Sequence, residues 1–175
     1  MIITVSGLIG SGKTTLAKRL SEKFNLEYIS PGSIMRKMSE KEGISLIEFS
    51  RCAEKNPEID RVIDEKQTEL AKKGNCVVDG RLSAYLLEPN LSIWLKAPID
   101  VRVERVSRRD SISQKAAREH ITLRENSERK RYWNYYNIDI DNLDIYDLII
   151  DTNKFGGDEM LAIVSCAIEK IRNSR

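Results

Sequence analysis

Histidine and cysteine are scarce in this 175-residue chain. There is one histidine, His120, and three cysteines, Cys52, Cys76 and Cys166, which lie far apart with no C-x-x-C pair. That supply argues against a His/Cys zinc site and against a disulfide scaffold, and it makes a reducing cytoplasm the expected compartment. Long apolar runs are also missing. None approaches the roughly 20 residues that would span a bilayer. The opening MIITVSG lacks the basic n-region and long apolar h-region of a secretion signal. Charge of one sign is not in excess, since 29 Lys and Arg face 27 Asp and Glu for a net +2. No global field therefore calls for nucleic acid or an anionic membrane. What is present suits a globular protein. Hydrophobic residues make up 41% and charged residues 32%, enough for one buried core and too apolar for a disordered tail. The chain reads as one domain over residues 1–175.

Short runs rich in Val, Ile, Leu or Trp at 2–5, 76–78, 91–95 and 147–150 read as buried strands, with a shorter fifth at 27–29. Their continuity, rather than alternation, points to strands covered on both faces. Helical patterns occupy 13–24, 33–41, 45–55, 58–73, 100–109, 113–136 and 158–172. Strands alternating with helices predict an α/β fold, a parallel five-stranded sheet sandwiched by helices. Two stretches exceed a simple crossover. Residues 31–74 hold only helical patterns, and residues 110–137 are highly charged. Both read as helical insertions at strand ends, where moving parts belong.

The most specific motif is Gly7-Leu8-Ile9-Gly10-Ser11-Gly12-Lys13-Thr14, a full match to G-x-x-x-x-G-K-[ST] between a strand and an amphipathic helix. Its glycines let successive backbone N–H groups turn toward one anion, and the helix N-terminus adds partial positive charge. Lys13 is placed to reach β- and γ-phosphates, Thr14 to ligate Mg²⁺, and Thr15 to meet the α-phosphate. A GTPase would need N-K-x-D, and Asn153-Lys154-Phe155-Gly156 lacks the aspartate. A small kinase remains. Three further sites bear on it, each with a plainer reading beside it. Asp79, in Val77-Val78-Asp79-Gly80-Arg81, ends a strand beside the P-loop. It is either a metal-shell carboxylate or a strand-ending turn, with Arg81 projecting toward an incoming phosphate. Arg36 follows the Pro31-Gly32 turn, which Gly32 or Ser33 would cap as a helix. It is either a cleft residue or a solvated arginine. Residues 102–131 carry ten basic and five acidic side chains. Arg105, Arg108 and Arg109 share one face, and Arg124, Glu128 and Arg131 share another. Glu104–Arg108 and Glu125–Arg129 have ion-pair spacing, so part of this charge is a solvated helix face. Two polyphosphates brought together would explain the arginine surplus.

With these residues in hand, the chain resembles the nucleoside monophosphate kinases, and among them the cytidylate kinases in their short archaeal form. The likeness runs through the P-loop, Ser30-Pro31-Gly32-Ser33-Ile34-Met35-Arg36, Pro57-Glu58-Ile59-Asp60 with Gln67, and Asp79-Gly80-Arg81. It continues through Trp94-Leu95-Lys96-Ala97-Pro98 and Glu128-Arg129-Lys130-Arg131-Tyr132. The resemblance implies transfer of a phosphoryl group from ATP, with Mg²⁺, to CMP or dCMP. It makes 31–74 the monophosphate-binding insertion and 110–137 the lid. Arg36 and Arg81 would hold the CMP phosphate. Arg124 and Arg131, with Arg105 and Arg109 as weaker matches, would close over the transferring group. Glu128 matches a lid position that contacts the pyrimidine in bacterial members. Those members read Asp-Gly-Arg-Asp and carry a small strand insertion, whereas Leu82 follows Arg81 here and the chain is too short for that insertion. Asp60, Asp64 and Gln67 are candidates for reading the base. The expected partners are small nucleotides, for a monomer that binds neither nucleic acid nor membrane. The alternatives are another monophosphate kinase, for AMP or UMP/CMP, and an ATP-dependent RNA-binding assembly factor. Stacking aromatics are few in the basic stretch, outside Tyr132-Trp133 and Tyr135-Tyr136. His120 is expected to be exposed.

Overall fold

The computed structural model describes residues 1–173. In chain order the elements are β1 (Ile2–Gly7), α1 (Lys13–Phe24), β2 (Glu27–Ile29), α2 (Pro31–Lys41), α3 (Leu46–Lys55), α4 (Glu58–Ala71) and β3 (Cys76–Asp79). They continue with α5 (Ser83–Leu86), β4 (Leu91–Lys96), α6 (Ile99–Asp110), α7 (Gln114–Tyr136), β5 (Leu148–Asp151) and α8 (Gly157–Asn173). The five strands form one parallel sheet in the order β2-β3-β1-β4-β5. The α/β sandwich expected from the sequence is therefore the architecture found.

β1 lies at the centre, with Ile3 opposite Val77 of β3 on one side and Leu91 of β4 on the other. Ile3, Val5, Ile93 and Leu95 are fully buried against Leu16 and Leu20 of α1 and Val164 and Ile168 of α8. Cutting any of these side chains to alanine would cost about 2–5 kcal/mol. Because β1 is flanked by strands reached in opposite directions, its carboxyl end opens a crevice, where parallel sheets bind ligands. The P-loop, Asp79 at the end of β3 and the loop after β4 all meet there.

Local chemistry sets the helix starts. Ser45 and Glu48 cap each other reciprocally at the start of α3, and Ser113 accepts from the Ala116 N–H at the start of α7. α2 begins two residues before the sequence pattern suggested. Ser30, rather than Gly32 or Ser33, is its cap, and Pro31 is its first residue, where the missing N–H costs nothing. α1 differs from all three. Its N-cap is Gly12 at φ 98°, with no side-chain cap, so its first N–H groups stay open toward the crevice.

Three features depart from expectation. The short α5 follows Arg81 where only a loop was expected. β5 is an edge strand with Ile149 facing solvent, so it is not covered on both faces. The third is α7. Its first half packs Ala117 and Ile121 against α6, while its second half buries Glu125, Ser127, Glu128 and Arg131. Ser127 donates to Ser50 O, and Tyr135 donates to Ala53 O and Glu54 O of α3. The second half of the expected lid is thus bound to the expected monophosphate-binding insertion. Among the described residues no helix is long and apolar enough to cross a membrane.

Candidate active site

A cavity of about 1000 Å³ opens at the carboxyl end of the sheet. Its floor is the P-loop. Gly7 has φ 142°, and a Cβ there would lie 2.3 Å from Leu95 O, so only glycine lets β1 turn so close to β4. Gly10, Gly12, Lys13, Thr14 and Thr15 line the cavity together with the side of Ile9. Gly7 and Leu8 shape the loop from behind, and the buried Ser11 hydroxyl has no protein partner. The Ser11 N–H and Lys13 Nζ both donate to Leu8 O, at 3.2 Å and 3.0 Å. Burial, then the neighbouring Arg81, lowers the Lys13 pKa from 10.5 to about 7. An arriving anion would restore its charge.

Thr14 Oγ1 donates to Asp79 Oδ2 at 2.6 Å, and the Tyr28 hydroxyl donates to the same oxygen at 3.1 Å. Asp79 is buried. One hydroxyl and one carboxylate are the hard-oxygen donors that suit a Mg²⁺ ion whose other ligands are water and substrate phosphates. Among the described residues no cluster of three His, Cys, Asp or Glu could hold a metal. Asp79 is the last residue of β3, and the carbonyl of Gly80 after it accepts from Ser6 Oγ at 2.8 Å.

Arg36, Arg81, Arg109 and Arg124 all face the cavity. Arg36 reaches it from the second turn of α2, steadied by Ser33 Oγ at 3.1 Å. Arg81 is nearly enclosed and is paired with Glu128, which also sits 3.7 Å from Arg124. Burial, and then Arg81, Arg36 and Arg109, lowers the Arg124 pKa to about 9. Arg81 is likewise lowered, chiefly by burial. One carboxylate, Glu128, thus stands among several cations that repel one another. Arg109 makes two bonds to Asp110, at 2.7 Å and 2.8 Å.

The other two expected phosphoryl-closing arginines part company: Arg105 stays on the cavity, 3.4 Å from Gly10 O of the P-loop, and Arg131 leaves it. Arg105 lines the cavity at its β5 end, donating to Thr152 Oγ1 at 2.8 Å and to Thr152 O at 2.7 Å, beside Phe155. Arg131 is fully buried in an ion pair with Asp60 and is not on the cavity wall. The reason is geometric. Arg131 lies two turns beyond Arg124 on α7, where that helix has already reached α4. Asp60 itself lines the cavity, with Oδ2 buried and without a hydrogen-bond partner. Gln67 Nε2 donates to Asp64 Oδ1 at 2.7 Å, and Gln67 Oε1 accepts from Ser83 Oγ at 3.0 Å. Tyr136 donates to the other Asp64 oxygen at 2.6 Å. Burial raises the Asp64 pKa to about 6, and nearby Asp60 adds to the effect. Asp60, Asp64 and Gln67 therefore form one polar wall at the end of the cavity opposite Phe155.

Two residues, Glu125 and His120, sit where a reading of the sequence does not put them. Glu125 looks like the i,i+4 partner of Arg129, but Arg129 pairs with Asp141 at 3.0 Å. Glu125 instead pairs with Arg102 at 2.7 Å and holds the P-loop from below. Nothing local signals that contact. His120, expected on the surface, is half-buried in the cavity wall.

Comparison with known proteins places the chain in a family. Residues 2–154 match the model of the cytidylate kinase-like family. A cytidylate kinase of Methanocaldococcus jannaschii is 48% identical over 177 residues, covering 98% of this chain and 99% of that one. A cytidylate kinase of Methanobrevibacter smithii is 50% identical over 172 residues, covering 98% and 100%. Among solved structures, a deoxyadenosine kinase from M. mycoides with bound dATP superposes with a TM-score of 0.61 at 16% identity, covering 97% of this chain and 100% of that one. A shikimate kinase from Acinetobacter baumannii in complex with shikimate gives 0.61 at 15% identity, covering 97% and 93%. These distant structures share the fold, whereas the close relatives share the sequence throughout, so the chain belongs to the cytidylate kinase-like family.

Proposed function

We propose that the chain transfers the γ-phosphoryl group of ATP to CMP or dCMP, giving ADP and the pyrimidine diphosphate. One observation carries this reading. A single cavity joins a P-loop to a cluster of arginines and then to a polar wall of Asp60, Asp64 and Gln67. A nucleoside triphosphate enters at the P-loop end, with its adenine toward Phe155 and Arg105. A monophosphate enters at the other end. Arg36 and Arg81 hold its phosphate, and the two nucleotides meet tail to tail.

Lys13 and the N–H groups at the start of α1 bind the triphosphate oxygens. Thr14 and Asp79 would hold a Mg²⁺ ion, which supplies charge neutralisation on the β- and γ-phosphates. Such a transfer is mostly positioning and charge neutralisation, with little work for a base. A site of lysine and arginine without a catalytic histidine is therefore sufficient. Arg124 and Arg109 neutralise the charge spread over the transferring group. For them to act, Glu128 must yield Arg81 and Arg124 to phosphate, and Asp110 must release Arg109. Closure would be carried by the 109–113 turn, because α7 packs its first half on α6 and on Ile9 of the P-loop. The second half of α7, including Arg131, stays with α3 and α4. Closure would also exclude water, the competing acceptor.

At the base end, Asp60 Oδ2 is an acceptor awaiting a donor. A cytosine presents an exocyclic amine where a uracil presents a carbonyl. A carboxylate wall therefore favours the first and repels the second. Burial raises the Asp60 pKa, and the Arg131 guanidinium beside it opposes that rise. The same reading carries action as a monomer on small nucleotides in the cytoplasm, with no nucleic-acid partner.

The test is a panel of CMP, dCMP, UMP, AMP and GMP with Mg-ATP. CMP and dCMP should be the fastest acceptors, with UMP weaker. A preference for AMP or GMP would overturn the assignment. Steep salt-dependent RNA binding without CMP turnover would favour an RNA-binding factor instead.

A further inference from the structure

The P-loop is held from outside the cavity by two side chains that never reach it. The Ile9 N–H donates to Glu125 Oε1 at 2.9 Å. Arg102 Nη1 donates to Ile9 O at 3.0 Å and to the same Glu125 oxygen at 2.7 Å. Arg102 and Glu125 are both buried. The Ile9 side chain is buried with Val103, Val106, Ala117 and Ile121. A Cβ on Gly10 would lie 2.8 Å from Arg102 O, so the loop rests directly on the α6 backbone.

A trans peptide points its C=O and its N–H in opposite directions. Glu125 draws the Ile9 N–H outward, so the Leu8 carbonyl of that same peptide turns inward. There it accepts from the Ser11 N–H and from Lys13 Nζ. Arg102 draws the Ile9 carbonyl outward, so the Gly10 N–H turns inward, toward the cavity. One buried ion pair therefore sets two consecutive peptide orientations, and through Leu8 O it sets the resting position of Lys13.

We propose that Glu125 and Arg102 are positioning residues that hold the P-loop ready for a nucleoside triphosphate. The role rests on the assignment of the P-loop end to ATP, and it concerns that end of the cavity alone. Glu125 acts here as a hydrogen-bond acceptor. A glutamine keeps an acceptor at that position and a methionine does not. Arg102 left alone in the interior would be an unpaired charge, so E125M by itself risks misfolding. The R102M/E125M double variant removes both charges together and avoids that cost.

The measurements are mant-ATP binding without acceptor, steady-state KM and kcat for ATP and for CMP, and thermal unfolding of each variant. Mant-ATP binding reports on the loop whatever the acceptor proves to be, so loss of the clamp and an error in the assigned reaction give different results. R102M/E125M should fold with a Tm close to wild type. It should bind mant-ATP at least tenfold more weakly, raise KM for ATP by a similar factor and leave KM for CMP within twofold. E125Q, which keeps the acceptor, should bind mant-ATP within about threefold of wild type. The proposal is overturned if the double variant binds mant-ATP within twofold of wild type. It is also overturned if KM for CMP rises as much as KM for ATP, or if E125Q binds mant-ATP as weakly as R102M/E125M.

Discussion

Replacing Lys13 by methionine should inactivate the enzyme and stabilise it when no nucleotide is bound. Lys13 lies near Arg81 and Arg124, and burial is the first cause that lowers its pKa from 10.5 to about 7. At ~1.4 kcal/mol for each pH unit, the gap sets an upper bound on the cost of charging this lysine in the folded state. Part of the side chain meets solvent, so screening reduces the cost to about 2–3 kcal/mol. For a domain of this size that corresponds to roughly 5–10 °C in Tm. The pH dependence has a definite sign. Below pH 7 lysine is protonated both folded and unfolded, and the full cost is present. Between 7 and 10.5 the unfolded chain binds the extra proton, so wild-type stability rises with pH and the gap to K13M closes. Differential scanning fluorimetry at pH 6, 8 and 10 without nucleotide reads this directly. ATP should then raise the wild-type Tm far more than that of K13M, and K13M should lose about 10²–10³ in kcat. The reasoning fails if K13M is no more stable than wild type at pH 6, or if its advantage grows with pH.

Three other perturbations follow from contacts in the site. R131A should destabilise the protein by about 3–5 kcal/mol, because it strands the Asp60 carboxylate in the interior, and urea unfolding of R131A beside R131M/D60L measures it, the double variant losing less. G7A should fail to accumulate as soluble, folded protein, since its Cβ meets Leu95 O at 2.3 Å on a backbone at φ 142°; circular dichroism of the purified variant decides. D79N should keep its fold and its affinity for CMP while kcat drops by at least tenfold, and raising Mg²⁺ should recover part of the loss; an unchanged kcat would remove Asp79 from the metal shell.

The features legible in the sequence were those set by short-range chemistry. The P-loop motif names its own conformation, because glycines at 7, 10 and 12 admit backbone angles that other residues resist. Asp79 was legible because a strand in a parallel sheet must end at the ligand crevice. Helical spacing placed Arg36 one turn into α2 and Arg124 on a stripe of α7, but left open whether each faces cleft or solvent; both line the cavity. Long-range pairings were not legible. Glu125 has an arginine four residues on, and only the approach of α7 to the P-loop decides that it serves Arg102 and Ile9 instead. Arg131 shares a stripe with Arg124, yet two helical turns carry it from the cavity into α4, where Asp60 waits. α5 has only four residues and carries no periodic signal. β5 read as a covered strand because its composition is apolar, while its exposure is a property of the sheet edge.

The most direct test of the two-nucleotide cavity is a crystal structure with an adenosine–cytidine polyphosphate that bridges both ends. Lys13, Arg36 and Arg81 should all contact its phosphate oxygens, with Glu128 drawn away from Arg81 and the cytosine against Asp60. A bound inhibitor from which all three cations point away would contradict the assignment.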